Sequence, residues 1–490
     1  MKRLIVIVFI IFGAFLTLCL YRTYAYDTSV VEEVPSTTDL EYTFKIGNSS
    51  IKQITVDSGE TRYYDIVLGN PNNAKISYGV YYEMVSPSTK PDGYSIEYTS
   101  KSTGNSTGKV DKNGNITLNL VVTNASSSTV TVKLGTVAGY VNGGELTLGS
   151  GQVIIPKALV NAVELITNLN DGTTGDSGSG VYKIIHSAIP AGSSATGSEI
   201  PAVTDYRYYG PSPNNYICLD MEGQSTCPDK HLYRIIGSIY DEKENTNRLK
   251  LIKATPLTDG TTSEFSWDYR VFNNGGVVYS NIWATITSGN YSNSLTSGSQ
   301  LMKLLNSGAW WNGTSGSYYN GSTTATTVNF TNYKLSDKAK SYITTSRYYL
   351  GGYNSDPPLT NEMYGYERGT ARYDTNRPLY WDGYVGLMYP SDYGYAAGNS
   401  CVNGTELGVY YEVCSDKDWL YISNTNQWLM LPNSGYSSDV FTVHSIGFVH
   451  NREYKGNSRH TLAVSPVFFL NSSASISSGD GTLDAPYILS

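Results

Sequence analysis

The chain has 490 residues, a formal charge of -8 and a pI near 5.3. That length accommodates two or three domains with ample core, and a mildly acidic surface excludes nucleic acid as the main partner. Charged residues make up only 16% while tyrosines number 43, and with abundant Thr, Ser, Asn and Gly this composition favours short strands joined by polar turns.

The N-terminus opens with Lys2 and Arg3 and runs apolar from Leu4 to Tyr21. Basic residues ahead of an apolar run stay on the cytoplasmic side, so the remainder is expected to be exported. The run is about 18 residues long, between a signal core and a spanning helix. Thr23-Tyr24-Ala25 reads as a small-residue cleavage site. Residues 1–25 are therefore expected to be a signal peptide or, if uncleaved, a membrane anchor. Of the five cysteines, Cys19 lies in this segment. The others form two close pairs, Cys218/Cys227 and Cys401/Cys414. Export permits disulfides, and local pairing is expected because each pair brackets a Gly- or Asn-bearing turn. Zinc ligation and free thiols are the alternatives, but the spacings are not C-x2-C.

Residues 26–156 read as one β-sandwich. In "AKISYGVYYEMV" Ile76, Tyr78, Val80, Tyr82 and Met84 alternate with polar neighbours, the period of a half-buried strand. "NITLNLVV" repeats it with Ile116, Leu118, Leu120 and Val122, after an Asn113-Gly114 turn signal. "YDIVLGN", "YSIEY" and Val130, Val132, Leu134 add further strands. About seven short strands predict an immunoglobulin-like sandwich.

Residues 157–202 are expected to hold a helix over "KALVNAVELITNL" and then a flexible linker, "NDGTTGDSGSG". Residues 203–490 predict one α+β domain. "LYRIIGSIYDEKENTNRLKLIKA" is a long hairpin, while "SGSQLMKLLNSG" and "LSDKAKSYI" are short helices, the second capped by Ser336. The fold class is thus mainly β with an α+β C-terminal domain.

Several motifs point to chemistry and fail on context. "GDSGSG" looks like the nucleophile turn of trypsin-like proteases, but no His precedes Ser177. "LPNSG" looks like a sortase signal, but no apolar span with a basic tail follows it. His444, His450 and His460 lack a matching Cys or carboxylate pattern, so no metal is assigned. Asp392, Asp416, Asp418 and Asp439 show no spacing that pairs them as acid and base for glycoside hydrolysis. No cofactor is expected, and the chain reads as non-enzymatic.

The C-terminal stretches "NNYICLD", "LKLIKA", "LMKLLNSG", "YGYERGT", "VGLMYPSDYGYA", "CSDKDWLY", "QWLMLPNSG", "VFTVHSIGFV" and "SGDGTLDAPYIL" together resemble a family of exported surface proteins of gut-type Gram-positive bacteria. "VDSGETRYYDIVLGNPNN" is similar to the sandwich often joined to that domain. The same region is more loosely similar to C-type-lectin-like folds, on "W-L-x-x-P-x-S-G" followed by two strands. There the closing strand usually opens with Arg-Pro, where this chain has Ser465-Pro466. The C-terminal domain of that family has no assigned activity. The resemblance implies a lectin-like domain at 203–490, and this domain is expected to bind a surface ligand, either glycan or host protein. Aromatic faces stack on sugars and amides orient them, which makes Tyr389, Asp392, Tyr393, Asn426, Trp428, Asn433 and Tyr436 the expected contacts. A self-assembling surface component is the alternative, and a glycan or cell-wall hydrolase a more distant one. In lectin-like folds the first and last strands pair, so "SPVFFLNSSASISSGDGTLDAPYILS" is expected to clasp the domain, with Val467, Phe469 and Ile476 in its core.

Overall fold

A computed structural model describes residues 40–43, 52–71, 75–99, 102–140, 151–156, 160–222, 224, 226–272, 275–285, 297–451 and 457–489. The expected signal or anchor at 1–25 lies outside the described residues, and among those described no helix is long and apolar enough to cross a membrane. The protein is mainly β. It divides after Leu159 into two compact units, each with its own core.

The first unit is built from two sheets. One runs in the order Leu40–Thr43, Glu60–Gly69, Asn115–Asn124, Tyr94–Tyr98, Ile155–Pro156. The other runs Lys52–Val56, Val130–Tyr140, Ile76–Ser86, Thr107–Val110, with Gln152–Val153 also on Ile76–Ser86. Alternate side chains of both sheets meet in a shared core: Ile76, Tyr78, Val80 and Tyr82 from one, Ile116, Leu118, Leu120 and Val122 from the other. Tyr81 points to the opposite face and is still buried, because it lies over Gly135 and Gly151. A Cβ at either glycine would fall inside its ring, 2.4 and 2.0 Å from the nearest atoms.

The second unit is organised on a large sheet. Its main path is Val160–Asn161, Ser475–Ser478, Tyr487–Leu489, Tyr216–Cys218, Leu232–Asp241, Thr246–Lys253, Val467–Leu470, Ile343–Thr344. The strand Val203–Tyr209 joins it through Leu232–Asp241 and pairs with Gly180–His186. The chain terminus is therefore an interior strand: Tyr487 pairs with Ile217, and Leu489 with Ile476. Val160, at the start of the unit, pairs with Ile476 as well. Val467, Phe469 and Ile476 are all buried. Asp480 holds the closing turn by accepting from the Thr482 N–H and hydroxyl. A smaller sheet runs Glu264–Ser266, Thr461–Ala463, Gln427–Pro432, Val440–Val443, Val449–His450.

The segment read as a flexible linker is packed onto this unit. The helix Ala162–Asn168 is capped by Asn161 and buries Ile166. Beyond it, Asn170 donates to the Val181 carbonyl and Gly175 accepts from the Asn399 N–H. Gly172 and Gly178 supply positive φ at bends with open space around them, whereas Gly175 also serves a close approach. Gly175 has φ +76 and a Cβ on it would lie 2.7 Å from the Tyr182 ring. Composition alone cannot separate these two uses of glycine.

Candidate functional site

Both cysteine pairs close locally, Cys218 with Cys227 and Cys401 with Cys414. Two disulfides fit an oxidising compartment outside the cytosol.

The residues expected to touch ligand do not converge on an exposed groove. "YPSDYGY" forms the wholly buried helix Pro390–Ala396. Asp392, at 1% exposure, accepts from the Tyr389 N–H, from Arg207 at 2.8 Å and from Lys250 at 2.5 Å. Burial pushes its carboxyl up, but Lys250 and Arg207 outweigh that and hold it below the usual range. Tyr389 donates to the Tyr349 carbonyl and Tyr393 to that of Gly447. Trp428 is a core residue whose indole N–H donates to the Phe265 carbonyl at 2.7 Å. Large aromatics go inside when their polar atom finds a partner there, and all three found a backbone carbonyl. Asn426 is half-buried and accepts from the Ser445 N–H. Asn433 is buried but shapes the surface: its Oδ1 accepts from the Gly435 and Tyr436 N–H groups, and its Nδ2 donates to Asn451 O. Tyr436 alone of the seven presents a large exposed face, at 47%.

Asp392 belongs to a buried ionic cluster. Arg207 bridges Asp392 and Asp205, and Asp205 also contacts His186 at 2.9 Å and accepts from the Tyr240 N–H. Nearby, Glu367 accepts from the Ser391 N–H and hydroxyl and lies 3.2 Å from Arg368. Each of these carboxylates is engaged by partners within the unit.

A narrow cleft opens beside the Asn433 loop. Four stretches line it: residues 281–284, Leu350, the chain after the helix Thr360–Glu367, and the end of strand Gln427–Pro432 with the turn beyond it. Asn281 ties three of them together. Its amide donates to the carbonyls of Asn433, Tyr436 and Asp439, and its Oδ1 accepts from Arg377. Arg377 also donates to the Ser437 carbonyl, and its guanidinium sits 4.9 Å from the Tyr373 ring centroid. Arg372 donates to the Arg377 carbonyl at 2.7 Å. It is half-buried and has no ion-pair partner among the described residues. The floor includes Trp283, which is packed edge-on to Trp381 and tilted against Trp267. Tyr373, which lines it, is exposed, as is Tyr436, whose backbone carbonyl accepts from Asn281; Tyr366 is exposed as well, its ring 4.2 Å from that of Tyr353. The Tyr353 carbonyl accepts from the Ser434 N–H. The enclosed space is only ≈ 20 Å³, room for little more than one water.

Sequence reasoning found the Asn433–Tyr436 side of this cleft and missed Arg372, Tyr373 and Arg377. The available signal was "ARYDTNR", an aromatic between two arginines in a polar loop. Comparison with protein-family models, curated proteins and solved structures finds no match to this chain.

Proposed function

We propose that this is an exported surface protein whose C-terminal, lectin-like unit binds a carboxylate-bearing glycan, with the first unit acting as an immunoglobulin-like spacer. The observation that carries the reading is the cleft, whose lining brings together Arg372, Arg377 and the exposed Tyr373, with the Arg377 guanidinium 4.9 Å from the Tyr373 ring centroid. Guanidinium forks match planar carboxylates, and tyrosine faces stack on sugar rings. The enclosed space holds little more than one water, so the acidic group is placed at its mouth beside Arg372 while the rest of the ligand lies across the aromatic rim. Most of the cleft polar groups already hold one another, which gives a pre-formed site with little ordering left to binding.

The test is a glycan array probed with the purified protein, comparing uronate- and sialate-bearing glycans with neutral ones. The expected result is binding to acidic glycans that Arg372→Ala abolishes while the fold, read by circular dichroism, is retained. Equal binding of neutral glycans, or a lack of any binding, overturns the proposal. Self-association with no glycan bound would favour the structural-component reading.

A further inference from the structure

The contact between Lys250 and Asp392 joins two elements far apart in the chain. Lys250 lies in the strand Thr246–Lys253 and Asp392 in the helix Pro390–Ala396, 142 residues later. Both side chains are buried. Lys250 Nζ is 2.5 Å from Asp392 Oδ2. Contact with that oxygen places the amine within one further bond of the carboxyl carbon.

The surroundings are poor ones for an ammonium. Its one hydrogen-bond partner among the described residues is Asp392. Beyond it lie the rings of Tyr389 and Phe469, with centroids 4.7 and 5.6 Å from Nζ. A buried ammonium with one acceptor for its three N–H groups is costly. Burial lowers the amine from its ordinary value, further than Asp392 restores it, and the Arg207 and Arg368 charges add to the lowering. The carboxyl, in turn, is held for attack. Arg207 Nη1 donates to Oδ1 at 2.8 Å, and Oδ1 is the oxygen that gathers negative charge when an amine adds to the carboxyl carbon. The Tyr389 N–H donates to Oδ2 at 2.9 Å. Arg207 also holds Asp205, so it keeps a carboxylate partner if Asp392 loses its charge.

We propose that Lys250 and Asp392 condense into an intramolecular amide bond that ties the strand to the helix. One ammonium proton passes to Oδ2. The neutral Nζ then adds to Cγ, which forms the N–C bond and moves an electron pair onto Oδ1, against Arg207. A second proton passes from Nζ to Oδ2, the pair on Oδ1 restores the carbonyl, the Cγ–Oδ2 bond breaks, and Oδ2 leaves as water. The ammonium protons end as one on the amide nitrogen and two in the water, so no other reactant is required. Held contact replaces a bimolecular encounter, and a dry site withholds the hydration that favours free ammonium and carboxylate. The reaction removes one positive and one negative charge from the interior. The two disulfides close sequence separations of only 9 and 13 residues, whereas this bond would close 142 and would survive reduction. A plain salt bridge has the same contact, and the two readings differ by one water in mass.

The experiment is mass spectrometry of the purified full chain, denatured and with its disulfides reduced, its two ends fixed by peptide mapping. The chain is expected to be one water lighter than its sequence. A tryptic digest should show no cleavage after Lys250 and should yield a branched peptide joining residues 249–253 to the segment that carries Asp392. Lys250→Arg keeps the charge without the amine and should restore the missing water. The wild-type digest decides even where that variant fails to fold. A wild-type chain at its full sequence mass, cleaved after Lys250, would leave the pair a plain salt bridge and overturn the proposal. So would a lost water that maps inside a single peptide, as when an aspartate closes onto its own backbone.

Discussion

The two units are both β-rich and are stabilised differently inside. In the first, the buried polar residues among those described are Asn70, Thr99, Ser106, Asn124 and Thr136, with no charged side chain among them. Its interior is an apolar alternation with amides stitched in, such as Asn124 donating to the Val56 and Ser128 carbonyls. The second unit buries Asp205, Arg207, Arg248, Lys250, Glu367, Arg368 and Asp392. An apolar core is tolerant and cheap to build, whereas a buried charge must find an opposite charge and hydrogen bonds. The first unit should therefore degrade gradually on mutation and the second abruptly. All seven tryptophans fall in the second unit, so tryptophan fluorescence reads that unit alone.

The largest effect should come from the chain end. Deleting the residues after Ser478 removes the buried Tyr487 and Leu489 and the strand pairing with Tyr216–Cys218. The cooperative fluorescence transition should be lost, and an unchanged melting temperature would show that the terminus does not close the unit. Next comes Asp392→Ala, which leaves Arg207 and Lys250 buried without this carboxylate. Breaking a buried pair from one side costs about 3–5 kcal/mol, measured by urea unfolding followed by fluorescence. The matching change in the first unit, Leu118→Ala, removes apolar contact and should cost about 3 kcal/mol, read by far-UV circular dichroism. If Leu118→Ala proves the more damaging, the contrast between the units fails.

That contrast also explains what could be read from sequence. Strands such as Ile76–Ser86 announce themselves because one face is buried and the alternation survives intact. In the second unit Thr246–Lys253 is buried along nearly its whole length, so its period disappears. Arg207 and Asp392 are 185 residues apart, and no local pattern could predict that they meet. Asp392 was expected at a binding surface as a polar group that orients a sugar, yet its carboxylate finds internal partners in Arg207, Lys250 and the Tyr389 N–H. The cleft was half legible for the same reason: the Asn433 turn is local, while Asn281 reaches it from 158 residues before Asp439. Cysteine pairing was legible because it is local.

The smallest effect sharpens the comparison by pH. Burial pushes the Glu367 carboxyl from its ordinary 4.5 up to about 7, against the pull of Arg368 and the Ser391 hydrogen bonds. A carboxyl held above its unfolded value binds its proton more tightly in the fold. Its contribution to stability is complete below about 4.5 and is lost as pH rises through about 7. Glu367→Gln keeps the shape without titrating. Relative to that variant, the wild type should lose roughly 2–4 kcal/mol of stability between those limits, read as a divergence of the two urea midpoints in fluorescence. No buried carboxylate is found among the described residues of the first unit, so the equivalent slope should be missing from its transition. A stability difference that stays flat with pH would mean that Glu367 is ionised in the fold and paired with Arg368, and the abruptness assigned to the second unit would then rest on Asp392 and its neighbours alone.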